Sequence, residues 1–290
     1  MLIYAHGENL TMLIYINGTW IEPENASIPF NDQGFQFGDS LFETIRVNNG
    51  IPFRMDRHLD RMRSGMKTIH MDGEKHLAEI PHLLNEFIKK NQIKSALLKV
   101  MITRGVSAGI THESDSQLAL YISARGVPDP PPWPVKVIFL SEQNYPILRF
   151  NPAIKSGNYL GNMLAKKDAE AAGAYEPVFV NKDGYITECA IRNIFFIKNN
   201  VLLTPTTELG VLPGVVRETI MELAEKRGLE VREALILKDE INAMDEAFIS
   251  STGVGVLPVY WDGYHSEYEQ SQSLRLDLQT LFESGESNVA

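Results

Sequence analysis

Lys155 lies in Ile154-Lys155-Ser156-Gly157-Asn158-Tyr159-Leu160-Gly161-Asn162, where a short apolar lead meets a small-residue turn and then the start of a helix. Lysines are ordinarily solvated surface charges. The apolar neighbours of this one, Ile154 before it and Tyr159 to Met163 after it, predict a side chain entering a partly buried cleft. Burial lowers a lysine's pKa, and a neutral amine is what an imine-forming nucleophile needs. Further on, Tyr185-Ile186-Thr187-Glu188-Cys189-Ala190-Ile191-Arg192-Asn193-Ile194-Phe195-Phe196 sets Glu188 between an alternating strand and an apolar one. A carboxylate there is either paired or functional, because an unpaired buried charge is expensive. Pro213-Gly214 opens a predicted helix and leaves the N–H groups of Val215 and Val216 pointing at any anion nearby.

Other chemistries find little support. The chain has no GxGxxG, Walker loop, HExxH or GxSxG. Its seven histidines are scattered without convincing metal spacing, so no metal is expected. With 27 Lys+Arg against 37 Asp+Glu the net charge is -10, which argues against nucleic acid or an anionic membrane as a partner. No apolar run reaches the ~18 residues of a membrane helix. A lone cysteine, Cys189, excludes an internal disulfide framework and fits a reducing, cytoplasmic setting.

The elements that must position these residues follow from turns and periodicity. Asn17-Gly18 and Asn48-Asn49-Gly50 predict two hairpins. Asp56 is the expected cap of a helix carrying Leu59, Met62, Met66 and Ile69. A second helix carries Leu77, Ile80, Leu84, Phe87 and Ile88, and strands are expected over 95–103 and 117–123. The proline-rich stretch 126–134 reads as a linker. It separates a smaller N-terminal domain over 12–125 from a larger C-terminal one over 135–290. Residues 1–11, which repeat Met-Leu-Ile-Tyr ahead of Met12, read as an extension. Beyond the linker, strands and helices alternate without a strict βαβ repeat. That is an α+β pattern.

Taken together, these segments resemble the class IV aminotransferases, the fold-type IV pyridoxal-phosphate enzymes that include branched-chain and D-amino acid aminotransferases and aminodeoxychorismate lyase. The resemblance runs from about Asn17 to Pro258. It also rests on Asn31-Asp32-Gln33-Gly34-Phe35-Gln36-Phe37-Gly38-Asp39-Ser40-Leu41-Phe42-Glu43-Thr44, Arg57-His58-Leu59, Leu212-Pro213-Gly214-Val215-Val216-Arg217 and Ser250-Ser251-Thr252-Gly253. It implies a two-domain α+β fold with pyridoxal 5'-phosphate in the cleft between domains, and a homodimer. Lys155 is implied as the lysine that holds the cofactor as an imine and moves a proton during transfer. Glu188 is implied at the pyridine nitrogen and Arg57 at the phosphate. Tyr159, Asn193, Val215, Val216, Ser251 and Thr252 complete the implied cofactor contacts.

For the substrate, the implied pocket residues are Phe35, Phe37 and Gly253. Relatives that act on D-amino acids or aminodeoxychorismate carry an arginine in the loop after Thr103-Arg104-Gly105; here Val106 to His112 has none. The expectation is therefore transfer between an apolar, branched-chain-like amino acid and a 2-oxo acid. Alternatives are a lyase of the aminodeoxychorismate type and a catalytically silent relative. Arg149, shortly before Lys155, is the cation that an acidic substrate would reuse.

Overall fold

The computed structural model describes residues 12–107 and 117–284. The predicted extension 1–11, and most of the loop behind the substrate expectation, lie outside the described residues. The fold is α+β, in two compact units.

Among the described residues, the first unit comprises 12–107, 117–127 and 154–158. Its strands are β1 (Ile14–Ile16), β2 (Thr19–Ile21), β3 (Ser40–Asn48), β4 (Ile51–Pro52), β5 (Ser95–Thr103) and β6 (Ala119–Arg125). They form one antiparallel sheet in the order β2-β1-β6-β5-β3-β4. Helices α1 (Gln33–Phe37), α2 (Met55–Thr68) and α3 (Glu74–Lys90) complete the unit. Along β3 the inward row is Leu41, Glu43, Ile45 and Val47, so the strand's alternation buries one carboxylate among three apolar side chains. Leu59, Met62 and Met66 of α2, and Leu77, Ile80, Leu84 and Phe87 of α3, join the same core.

Asp56 does not cap α2. The helix begins at Met55 behind Arg54, whose φ of 46° turns the chain in left-handed backbone, and Asp56 falls in the first turn. There its charge still complements the positive end of the helix dipole.

The second unit comprises 128–153 and 159–284. It holds β7 (Val135–Ser141), α4 (Leu160–Ala171), β8 (Glu176–Val180), β9 (Ile186–Cys189), β10 (Asn193–Lys198), β11 (Val201–Pro205), α5 (Val215–Lys226), β12 (Glu230–Ala234), β13 (Glu246–Ser251), β14 (Gly255–Tyr260) and α6 (Glu269–Ser284). The sheet runs β12-β11-β10-β13-β14-β7-β8-β9. Its β11–β12, β14–β7 and β7–β8 pairs are parallel and the others antiparallel. Residues 154–158, placed by sequence in the C-terminal domain, pack instead with the first unit, because Ser156 bridges to Leu41 at the start of β3.

Candidate active site

In the first unit Lys155 is pinned through its main chain. Its carbonyl accepts from the Phe42 N–H at 2.9 Å, and the Gly157 N–H donates to the Ser40 carbonyl at 3.0 Å. Asn158 Nδ2 donates to the Gly38 carbonyl at 3.0 Å. Ile154 packs on the core beside Lys155, which is itself half-buried. The Lys155 Nζ stands 4.3 Å from the centroid of the Phe42 ring, a cation–π geometry that limits where the amine can swing. Lys99 Nζ lies 4.7 Å from the same ring, and burial together with the Lys155 charge holds Lys99 below its ordinary pKa.

Under this strand Glu43 collects a guanidinium and an imidazole. Arg61 donates through Nε at 2.8 Å and through Nη2 at 2.6 Å, and His58 Nδ1 lies 2.6 Å from the same carboxylate. Burial alone would raise the Glu43 pKa, but Arg61 and His58 outweigh it and hold it at about 2. Burial pushes His58 below its ordinary value against the pull of Glu43, with Arg61 and Lys155 adding to the depression. The Nε2 of His58 is buried without a hydrogen-bond partner among the described residues.

In the second unit Glu188, on β9, has both oxygens engaged. Arg149 Nη1 pairs with Oε1, and the Leu212 N–H donates to Oε2 at 3.1 Å. The Leu212 carbonyl accepts from Asn193 Nδ2 at 2.9 Å. Leu212 thereby ties the β9 carboxylate to the start of β10. Two residues later Gly214 caps α5 with no side chain bonded to that helix end, so Val215 and Val216 head a helix whose first N–H groups face outward along its axis. A Cβ at Gly214 would come within 2.2 Å of Asn193 Oδ1, so a larger residue there would have to displace the Asn193 side chain. Ser250, the cross-strand partner of Asn193, is buried with its hydroxyl unpaired among the described residues. Ser251 and Thr252 follow it at the end of β13, and the Ser251 hydroxyl accepts from the Val254 N–H at 3.5 Å.

The structure thus gathers Glu188, Asn193, Val215, Val216 and the Ser251–Thr252 turn on adjoining elements of one unit. Tyr159 caps the start of α4 in that unit, and Gly253 sits in the turn after β13. Arg57 is different: it is exposed on α2, roughly 100° round the helix from His58, and the arginine that α2 turns inward is Arg61. Phe35 and Phe37 are 62% and 51% exposed on α1. The aromatic ring that meets the lysine is Phe42. Arg149 is committed to Glu188 and Glu142, and Arg104 to Asp39 and to the carbonyls of Ile69 and His70, so neither is the spare cation that an acidic substrate would need. Sequence reading gave no role to Arg61 and Glu142, and none to Glu43 and Leu212 beyond their places in the motifs. Of these only Glu43 carries a local signal, as a charged residue in the apolar row of an alternating strand.

Residues 40–260 match the family model of amino-transferase class IV, and the chain belongs to that family. It is a pyridoxal-phosphate-dependent aminotransferase. The chain is 33% identical over 252 residues to the D-alanine aminotransferase of Bacillus licheniformis, covering 86% of this chain and 87% of that one. It is 30% identical over 253 residues to the aminodeoxychorismate lyase of Bacillus subtilis, covering 85% of each. A solved structure of the branched-chain amino acid aminotransferase from Escherichia coli superposes with a TM-score of 0.86 at 26% identity, covering 97% of both chains. Three activities among such relatives leave the substrate to be argued from this chain's own residues.

The donors present fit the cofactor. A helix end without a side-chain cap and, in the same unit, a buried Ser250 hydroxyl without a partner among the described residues suit a phosphate. A carboxylate anchored from behind suits a protonated ring nitrogen, and a half-buried primary amine suits a carbonyl carbon. Among the described residues no group of three or more His, Cys, Asp or Glu could hold a metal ion, and no helix is long and apolar enough to cross a membrane.

Proposed function

We propose that the enzyme moves the amino group of an apolar, monocarboxylic amino acid of the branched-chain type to a 2-oxo acid. The observation that carries this reading is the commitment of Arg104 to Asp39 and of Arg149 to Glu142 and Glu188. A second substrate carboxylate would find both guanidiniums already answered, and burying it unpaired costs several kcal/mol. The Phe42 ring against the Lys155 amine adds an apolar surface for the substrate side chain.

When bound, the cofactor supplies an electron sink for the bond broken at the substrate Cα. In this reading Lys155 holds the cofactor's carbonyl carbon and later carries the proton between the substrate Cα and that carbon. Glu188 faces the ring nitrogen and favours its protonated form. The N–H groups of Val215 and Val216, with Ser251 and Thr252, take the phosphate. Arg61, rather than Arg57, contributes a guanidinium whose orientation Glu43 sets. Asn193 acts by holding Leu212, and Tyr159 and Gly253 border the same site.

The functional unit in this reading is a homodimer. Ile28, Phe30, Phe35 and Phe37 are 54%, 79%, 62% and 51% exposed in the first unit, a concentration of apolar surface that suits a second copy. Cys189 is buried and unpaired, which supports a reducing, cytoplasmic setting.

The test is the rate at which the bound cofactor is converted to its amine form by leucine, aspartate, D-alanine and aminodeoxychorismate, side by side. Leucine should be fastest. Faster conversion by D-alanine or aspartate would overturn the apolar assignment, and pyruvate release from aminodeoxychorismate would favour the lyase.

A further inference from the structure

Behind Glu188 stands a buried charge chain that the family-level chemistry does not require. Arg149 lies between two carboxylates. Its Nη1 pairs with Glu188 Oε1, while Nη2 and Nε reach Glu142 Oε1 at 2.5 and 3.1 Å. Thr187, the residue before Glu188 on β9, donates its hydroxyl to the same Glu142 oxygen and accepts from Arg149 Nη2 at 3.1 Å. The Phe179 ring closes the underside, 5.9 Å from the Arg149 guanidinium carbon. The side chains of Arg149, Glu142 and Glu188 are 20%, 15% and 14% exposed, so the trio is largely withdrawn from water. Burial alone would weaken the Arg149 charge, but Glu188 and Glu142 reverse that and hold the proton more firmly than usual.

The formal charges decide what the trio can do. Arg149 alone would cancel Glu188 and leave a neutral pair, with little reason to attract a proton onto a neighbouring ring. Glu142 leaves the group one negative charge in excess. A second carboxylate behind the arginine thus restores at Glu188 the charge that the arginine removes, while the arginine keeps the Glu188 head in place.

We propose that Glu142 is a positioning residue for the cofactor's ring nitrogen: acting through Arg149, it supplies the excess negative charge that keeps that nitrogen protonated. This rests on the reading of Glu188 as the ring-nitrogen partner. Opposite charges within about 4–6 Å shift a pKa by roughly 1–3 units, and Glu142 acts from one residue further back, so its share is about one unit. Once the ring pKa falls below the working pH, one unit is about a tenfold smaller protonated fraction.

The test is the nitrogen-15 shift of the holoenzyme loaded with cofactor labelled at the ring nitrogen, with the amino-acid half-reaction as a second readout. Wild type should show a protonated ring. Glu142→Gln should move the signal towards unprotonated pyridine and slow the half-reaction about tenfold. The double variant Glu142→Gln/Arg149→Gln again carries one excess negative charge on Glu188, and it should regain the protonated signal. Thr187→Val leaves all three charges in place and should keep the wild-type shift whether or not the Glu142 variant folds. An unmoved signal in Glu142→Gln, no recovery in the double variant, or a moved signal in Thr187→Val would each overturn the proposal. Glu188→Gln separates the two levels. If it leaves the ring protonated, the reading of Glu188 itself fails; if it removes the proton while Glu142→Gln does not, only the role of Glu142 falls.

Discussion

At the scale of single residues, the best anchored groups are those whose charges are answered on more than one side. Glu43 is 1% exposed, and its carboxyl is held at about 2 against an ordinary 4.5 by Arg61 and His58. The folded state therefore binds fewer protons there than the unfolded chain does. The resulting stability is fully present above pH 4.5 and is lost as pH falls towards 2, a difference of about 3 kcal/mol. His58 adds in the same direction: its folded value lies below the ordinary 6.5, so its contribution fades as pH drops through that value. Melting temperatures followed by circular dichroism from pH 6 to 2 should show a steep acid limb. Glu43→Gln should start less stable, because it removes the buried carboxylate that balances the Arg61 charge and bonds His58, and should lose less between pH 4.5 and 2. A parallel acid limb in the variant would show that Glu43 is not the group being titrated. The residue types at this scale were partly legible in sequence. Lys155 and Glu188 were singled out by their neighbours in the chain, whereas Glu142, and the pairing of Arg149 with it, acquire meaning only when β7, β9 and the segment between β7 and Lys155 come together.

At the scale of elements, legibility followed periodicity. β3, β5, α2 and α3 carry strong alternation or helical spacing and are visible in the sequence. β12 was missed because Glu230-Val231-Arg232-Glu233-Ala234 is an edge strand with three charged residues, and it exists by parallel pairing to β11 rather than by its own pattern. The five residues of α1 are too few to show a period; Asp32 defines that helix by accepting from the Gly34 and Phe35 N–H groups at 2.8 and 3.2 Å. The start of α5 is the element on which the proposed phosphate site depends. At Gly214 an added methyl would sit 2.2 Å from Asn193 Oδ1 and 3.2 Å from Arg217 Cβ. Gly214→Ala must therefore push Asn193 off the Leu212 carbonyl, and Leu212 is also the amide donor to Glu188. We expect about 1–3 kcal/mol of lost stability from the overpacking, with cofactor binding weakened beyond what unfolding explains. Equilibrium dialysis of the cofactor below the melting range checks this. Unchanged affinity in a destabilised protein would detach the α5 terminus from the phosphate.

For the whole molecule, the apolar surface of the first unit asks for a cover. Phe30 and Phe35 have ring centroids 6.2 Å apart, and Phe37 and Ile28 are likewise more than half exposed. Soluble monomers rarely leave a contiguous apolar patch of more than a few hundred Å² in water. A second copy of the chain is the proposed cover, and a stable dimer typically buries about 800 Å² per partner. Phe30→Glu with Phe37→Glu places two charges in that patch, and a charge buried without a partner is costly enough to favour separation. Sedimentation should report two copies for wild type and one for the double variant, at matched concentration and with the helical signal unchanged. The same variant judges the expectation that Phe37 lines the substrate pocket. If the protein remains a dimer yet converts leucine more slowly relative to aspartate, α1 faces substrate rather than a partner. If wild type itself sediments as one copy, the apolar face has no second chain to meet and the dimer reading fails.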